Sequence, residues 1–106
     1  MEDCLFCRLI NREIEPKFIF ENDLVVAFHD IHPKAPVHIL IVPKKHIKSF
    51  LDVDKGDKET IMEMVHVAQN LTKEHKSAKI GYKLVFNGGK YQEVPHLHWH
   101  LMGDIS

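Results

Sequence analysis

His96-Leu97-His98-Trp99-His100-Leu101-Met102 alternates imidazole and apolar side chains without a break. A period of two belongs to a β-strand, whose side chains point to opposite faces in turn. The pattern predicts a strand with His96, His98 and His100 on one face and Leu97, Trp99 and Leu101 on the other. Such an apolar face needs cover. The stretch from Asp57 to about Lys76 supplies it, with Ile61, Met64, Val65, Ala68 and Leu71 on one helical stripe. A long helix is therefore expected to anchor the strand from behind and leave its histidines on the free face.

Working outward, Asn87-Gly88-Gly89 opens the loop that joins this strand to another expected over Ile80–Phe86. His38–Val42 is a continuous apolar run ended by Pro43, as in a buried strand. Lys17–Glu21 and Leu24–His29 read as a hairpin around Asn22-Asp23. Leu5, Phe6, Leu9 and Ile10 keep helical spacing, with Asp3 as the expected cap and Glu15-Pro16 as the expected stop. Helix, three strands, long helix and two strands give an α+β class with an antiparallel sheet.

The remaining arithmetic excludes more than it assigns. The 106 residues suit one domain, 1–106, and 44% hydrophobic with 27% charged residues is ordinary globular usage. The longest apolar runs, Leu24–Phe28 and Ile39–Val42, fall far short of the roughly 20 residues of a membrane helix. A net charge of -1, from 14 basic and 15 acidic residues, argues against coating a nucleic acid. No secretory signal is visible, and two cysteines suit a reducing, cytoplasmic setting. Neither a nucleic-acid nor a membrane partner is expected.

Nine histidines are the anomaly. Consecutive imidazoles on the free strand face stand about 6.6 Å apart at Cα, a spacing that suits successive atoms of one elongated ligand. A solvated strand face, a His-x-His metal site and a nucleophilic imidazole all fit that geometry. A neutral histidine is nucleophilic near pH 7 because its ordinary pKa is about 6.5. Cys4 and Cys7, at i and i+3, point to one side of the first helix. They read as two buried thiols or, less well, as a redox pair, since no strand precedes them.

The histidine strand resembles the His-φ-His-φ-His-φ-φ signature of the histidine triad (HIT) family. Ala27-Phe28-His29-Asp30-Ile31, Ala35-Pro36-Val37-His38, Pro43-Lys44-Lys45-His46 and Asn87-Gly88-Gly89 resemble its Hint branch in the same order, and Phe6-Cys7-Arg8-Leu9-Ile10 fits as well. The resemblance implies a five-stranded antiparallel half-barrel sheet with one long and one short helix, paired as a homodimer. It also implies a hydrolase that cleaves purine nucleoside 5′-phosphoramidates at the α-phosphate through a nucleotidyl-histidine intermediate. The same motifs also suit a dinucleoside polyphosphate hydrolase of Fhit type or a largely non-catalytic nucleotide-binding regulator.

Residue by residue, the resemblance makes His98 the nucleophile, His100 the contact to the phosphate oxygens and His38 their support. It places Asp30 on the ribose, and Phe6, Leu9, Phe28, His29 and Ile31 around the base. Asn87 and the backbone at Glu93-Val94 fall near the phosphate. Core packing for Phe28 and Leu9, and a turn for Asp30, are the competing readings. Some family members carry a structural zinc. The matching ligands are Cys4, Cys7, His46 and His96, with no catalytic metal or organic cofactor expected. His32, His66 and His75 match no functional position and read as surface residues. Tyr91-Gln92-Glu93 departs from the Gly-Gln-Ser pattern common before the triad, and Glu93 brings negative charge close to a phosphate.

Overall fold

Val37–Pro43 is buried at every position, so both faces of this strand must be covered. This computed structural model describes residues 4–75 and 80–103 and shows how. Helix α1 runs over Leu5–Ile10 and α2 over Lys58–Glu74; the strands are β1 Phe20–Glu21, β2 Val25–His29, β3 Val37–Pro43, β4 Tyr82–Val85 and β5 Trp99–Gly103. They form one antiparallel sheet in the order β1-β2-β3-β5-β4. The class is α+β, as expected.

Alternation along β3 and β5 divides the core in two. Ile39, Ile41, Leu97 and Leu101 meet Met64, Val67, Ala68 and Leu71 of α2 on one face. Val26, Leu40 and Val42 meet Cys4 and Phe6 at α1 on the other. Leu40 pairs with His100 and His38 with Met102, so these histidines lie on the α1 face.

Local chemistry sets the boundaries. Asn22 Oδ1 accepts from the N–H groups of Leu24 and Val25, both at 2.9 Å, which closes the hairpin turn and leaves only Phe20–Glu21 in β1. Asp54 and Asp57 form a capping box ahead of α2, and Lys45 donates to the buried Asp57 at 2.5 Å.

Several expectations need correction. β5 starts at Trp99, because the Leu97 N–H turns to the Ile47 carbonyl at 2.6 Å and leaves the sheet ladder. β4 keeps only Tyr82–Val85 of the expected 80–86. The buried stripe of α2 is Thr60, Met64, Val67, Ala68 and Leu71; Val65 and Ile61 are half-buried at its flanks. Cys4 caps α1 through its sulfur, while Asp3 lies outside the described residues. α1 stops at Ile10, well before Glu15-Pro16, and Arg12 at φ 61° turns the chain away. His75 is half-buried and binds the Leu71 carbonyl through Nδ1 at 2.8 Å, closing the end of α2.

Met64 has no exposed surface and sits where α2 meets the sheet. Met64→Ala is expected to lower unfolding stability by about 2–5 kcal/mol. Urea denaturation checks this, and a loss below about 1 kcal/mol would show that α2 does not supply the main core contact.

Candidate functional site

The site is built where β2, β3 and β5 present polar groups on the α1 face. The His98 ring centroid lies 5.0 Å from that of His100, which lies 5.1 Å from that of His38. Their hydrogen bonds assign the protons. The Lys34 N–H donates to His38 Nδ1 at 3.0 Å, so the His38 proton sits on Nε2. That N–H donates to His100 Nδ1 at 2.9 Å, which puts the His100 proton on its own Nε2. His98 has the opposite arrangement. Its Nδ1–H donates to the His96 carbonyl at 2.7 Å, and Nε2 keeps a free lone pair. A nucleophilic nitrogen and an N–H donor therefore stand on adjacent rings.

Burial pushes the pKa of His38 down; the Asp30 charge partly offsets this and Lys34 adds to it. Burial also lowers His100, followed by the charges of His98 and His38. Lowered values keep both rings neutral at pH 7, the state that this order of donors and acceptors requires.

Asp30 does two things at once. Oδ1 accepts from the His32 N–H at 2.8 Å in a local turn, while Oδ2 lies 3.4 Å from His38 Nε2. The turn and a carboxylate at the site are thus compatible. Phe6, Leu9, Phe28 and Val94 gather in one apolar cluster, and buried Phe6 stands edge-on to Phe28 at 5.6 Å and to His98 at 5.1 Å. His29, Ile31, Asn87 and Glu93 are not gathered into this cluster: all four are exposed, Ile31 at 85%. Three contributors escaped the sequence reading. Phe18 packs on Phe28 at 5.8 Å, and Gln92 ties its loop to the Lys48 and Val94 carbonyls at 2.7 and 3.0 Å. The third is the Lys34 backbone N–H, for which the sequence carries no signal. Phe18 lies in the Phe- and Ile-rich stretch read as the first hairpin strand, ahead of the two residues that pair.

The expected metal ligands converge. Cys4 Sγ lies 3.3 Å and Cys7 Sγ 3.5 Å from His96 Nδ1; His46 Nδ1 is 3.2 Å from both Cys7 Sγ and His96 Nδ1. A tetrahedral zinc with ordinary bond lengths has edges of about 3.3 Å between nitrogens and about 3.6 Å between nitrogen and sulfur. The cluster is close to those dimensions and can hold a metal. His96 is fully buried, and its Nε2–H donates to the Pro43 carbonyl at 2.8 Å, turning the Nδ1 lone pair into the cluster. Burial pushes His96 down to about 4, which favours the neutral, ligating form. Burial, and then the hydrogen bond and charge of Cys4, push Cys7 up to about 11, a repulsion that a cation would relieve.

Asp30, His38 and His100 are also close enough to share an ion. Both His38 ring nitrogens are already engaged, and its Nε2–H points into the His100 Nδ1 lone pair. That trio is a hydrogen-bond relay.

Comparison with known proteins agrees with this architecture. A family model described as HIT domain matches residues 11–105. Purine nucleoside phosphoramidase of Escherichia coli (strain K12) is 38% identical over 104 residues, covering 96% of this chain and 87% of that protein. A HIT family hydrolase from Legionella pneumophila superposes with a TM-score of 0.91 at 40% identity, covering 98% of this chain and 95% of that one. A HIT family hydrolase from Clostridium thermocellum gives a TM-score of 0.92 at 35% identity, over 100% and 94% of the two chains.

Long-range nitrogen–proton NMR is expected to show His98 protonated on Nδ1 and His38 and His100 on Nε2. The last two should titrate below the ordinary value of about 6.5, so their order survives at that pH and is lost on further acidification. A single tautomer shared by all three would contradict the relay.

Proposed function

Because the chain belongs to the HIT domain family, we propose that it hydrolyses purine nucleoside 5′-phosphoramidates to nucleotide and amine. The observation that carries this reading is the free Nε2 lone pair of His98 beside the Nε2–H of His100. The printed activity of the Escherichia coli relative supports it.

In this reading the purine lies against Phe6, Leu9, Phe28 and Ile31 near His29, and Asp30 takes the ribose hydroxyls. Asn87 and the backbone at Glu93-Val94 lie along the phosphate, where fixed N–H donors stabilise developing charge. His98 Nε2 gives its lone pair to phosphorus and the P–N bond breaks. The amine leaves with that electron pair and takes up a proton. His100 Nε2–H meanwhile donates to a phosphate oxygen, held in that state by His38. Water then attacks phosphorus, gives up a proton and releases the nucleotide, and His98 recovers its lone pair. One water is consumed, and two easier displacements replace one hard hydrolysis.

Zinc is the metal best suited to the Cys4, Cys7, His46 and His96 set, because two thiolates and two imidazoles match its tetrahedral preference. Its role here is structural: it joins α1 to the sheet and takes no part in the displacement.

The reading includes a homodimer, which the edge of the sheet supports. Tyr82, Leu84 and Phe86 are exposed along β4 and its end, and a groove between β4 and α2 is lined by Tyr82, Leu84, Val65 and Ala68. An uncovered apolar edge strand invites pairing with a second copy. The two free cysteines fit a reducing, cytoplasmic setting. Among the described residues no helix is long and apolar enough to cross a membrane.

Incubation with an adenosine 5′-phosphoramidate is expected to release AMP, and His98→Ala should lose about 10³-fold or more in rate. Equal release by the variant would reject the nucleophile. Native mass spectrometry of the same protein is expected to show two chains with one zinc per chain. A metal-free protein after zinc reconstitution, or a monomer at micromolar concentration, would overturn the corresponding assignment.

A further inference from the structure

The metal cluster and the nucleotide site share a wall. Phe6 stands between Cys4 and Cys7 in the chain, and its ring meets three functional residues at once. Its centroid lies 5.9 Å from that of His96, 5.1 Å from that of His98 and 5.6 Å from that of Phe28. The first belongs to the cluster, the second carries the free lone pair, and the third lies where the base is read to bind.

The position of that ring depends on a helix that cannot hold itself. Helix α1 has six residues, whereas an isolated helix needs about 12–15 to be even marginally stable in water. Phe6 is the one buried residue within it; Leu9 and Ile10 are half-buried. The Arg12–Glu21 ion pair beyond its end is largely exposed and adds little. The two thiols supply a second fastening, since Cys4 meets His96 at 3.3 Å and Cys7 meets His46 at 3.2 Å. Cys4 Sγ also accepts the Cys7 N–H at 3.3 Å, so one sulfur serves the cluster and caps the helix.

The main core lies elsewhere. Ile39, Ile41, Leu97 and Leu101 pack against α2, and no residue of α1 belongs to that core. A change at the cluster can therefore move α1 and Phe6 while the sheet and α2 stay folded.

We propose that Phe6 couples the Cys4, Cys7, His46 and His96 cluster to the nucleotide site, so that metal and nucleotide strengthen each other's binding. With the four ligands drawn together, α1 holds the Phe6 ring against His98 and Phe28, and the base meets a wall already in place. With the ligands apart, α1 loses one of its two fastenings, and binding the base must first bring the ring back. Linkage requires the effect to run both ways by the same factor. The proposal rests on the nucleotide and zinc parts of the function proposed above.

The test measures two dissociation constants, each in two states. AMP is titrated by calorimetry into zinc-loaded and metal-free protein, and zinc is competed against a chromophoric chelator with and without saturating AMP. AMP is expected to bind the zinc-loaded protein about ten-fold more tightly, and AMP should tighten zinc by the same factor. Phe6→Leu keeps an apolar side chain but withdraws the ring, and should bring both ratios close to one, whatever its effect on AMP affinity itself. Leu5→Ala, on the exposed side of α1 between the same ligands, should leave both ratios as in the wild type. Equal AMP affinity with and without zinc, or ratios that survive in Phe6→Leu, would overturn the coupling and leave the proposed function standing. Far-UV circular dichroism of the metal-free chain is expected to retain α2; its loss would reduce the link to global unfolding and overturn the role of Phe6. A zinc-loaded protein that binds no AMP, or a chain that takes up no zinc, would overturn the coupling together with that part of the proposed function.

Discussion

A buried imidazole must have both nitrogens answered, and His96 shows what that requirement organises. Its ring has no exposed surface, and an unpaired buried polar group costs about 1–3 kcal/mol. One nitrogen donates to the Pro43 carbonyl at the end of β3; the other faces Cys4, Cys7 and His46. Those bonds join α1, β3, the segment after it and the approach to β5 at one point. The His96 carbonyl accepts the His98 Nδ1 proton and so decides which His98 nitrogen keeps a lone pair. One residue thus links the N-terminal helix to the His98 Nε2 lone pair, through its own ring and carbonyl.

The same requirement explains why alternation read the fold well and its borders poorly. Period two assigned the faces of the 96–102 segment correctly, because Leu97 and Leu101 reach the α2 core while His98 and His100 face α1. It could not place the start of β5, since the Leu97 N–H is taken by the Ile47 carbonyl from outside the sheet. Helical spacing likewise found α2 but chose Val65 where Val67 is buried. Both fit an apolar stripe, and only the angle at which α2 crosses β3 and β2 separates them. His75 read as a surface residue because a helix C-terminus offers free carbonyls that no periodicity records.

Site residues divide along a similar line. Cys4, Cys7, His46 and His96, and His38, His98, His100 and Asp30, were singled out through the family resemblance, and the structure brings each set together. The Lys34 contribution was not, since its backbone N–H is common to every residue except proline and gains meaning only when the loop brings it to His38. Yet that single donor orders the relay: it sets the His38 proton, which sets the His100 proton. His29, Ile31, Asn87 and Glu93 are exposed, so side-chain packing within the chain says little about them.

Strand β4 faces two demands, and its sequence answers them on alternate residues. Tyr82 and Leu84 line the groove against α2, on the face proposed to meet a second copy, and Tyr82 also borders a recess beside Met102. Lys83, between them, lines the recess beyond His100. A lysine on an edge strand ordinarily discourages unwanted pairing. Here its neighbours leave apolar surface exposed, so Lys83 does not protect the edge as a whole. Its side chain instead stands over the reaction side of the sheet, next to Met102. On the proposed dimer, covering the apolar face holds β4 in place, and with it Lys83 beside Met102. Assembly then steadies the strand that flanks β5 and its histidines.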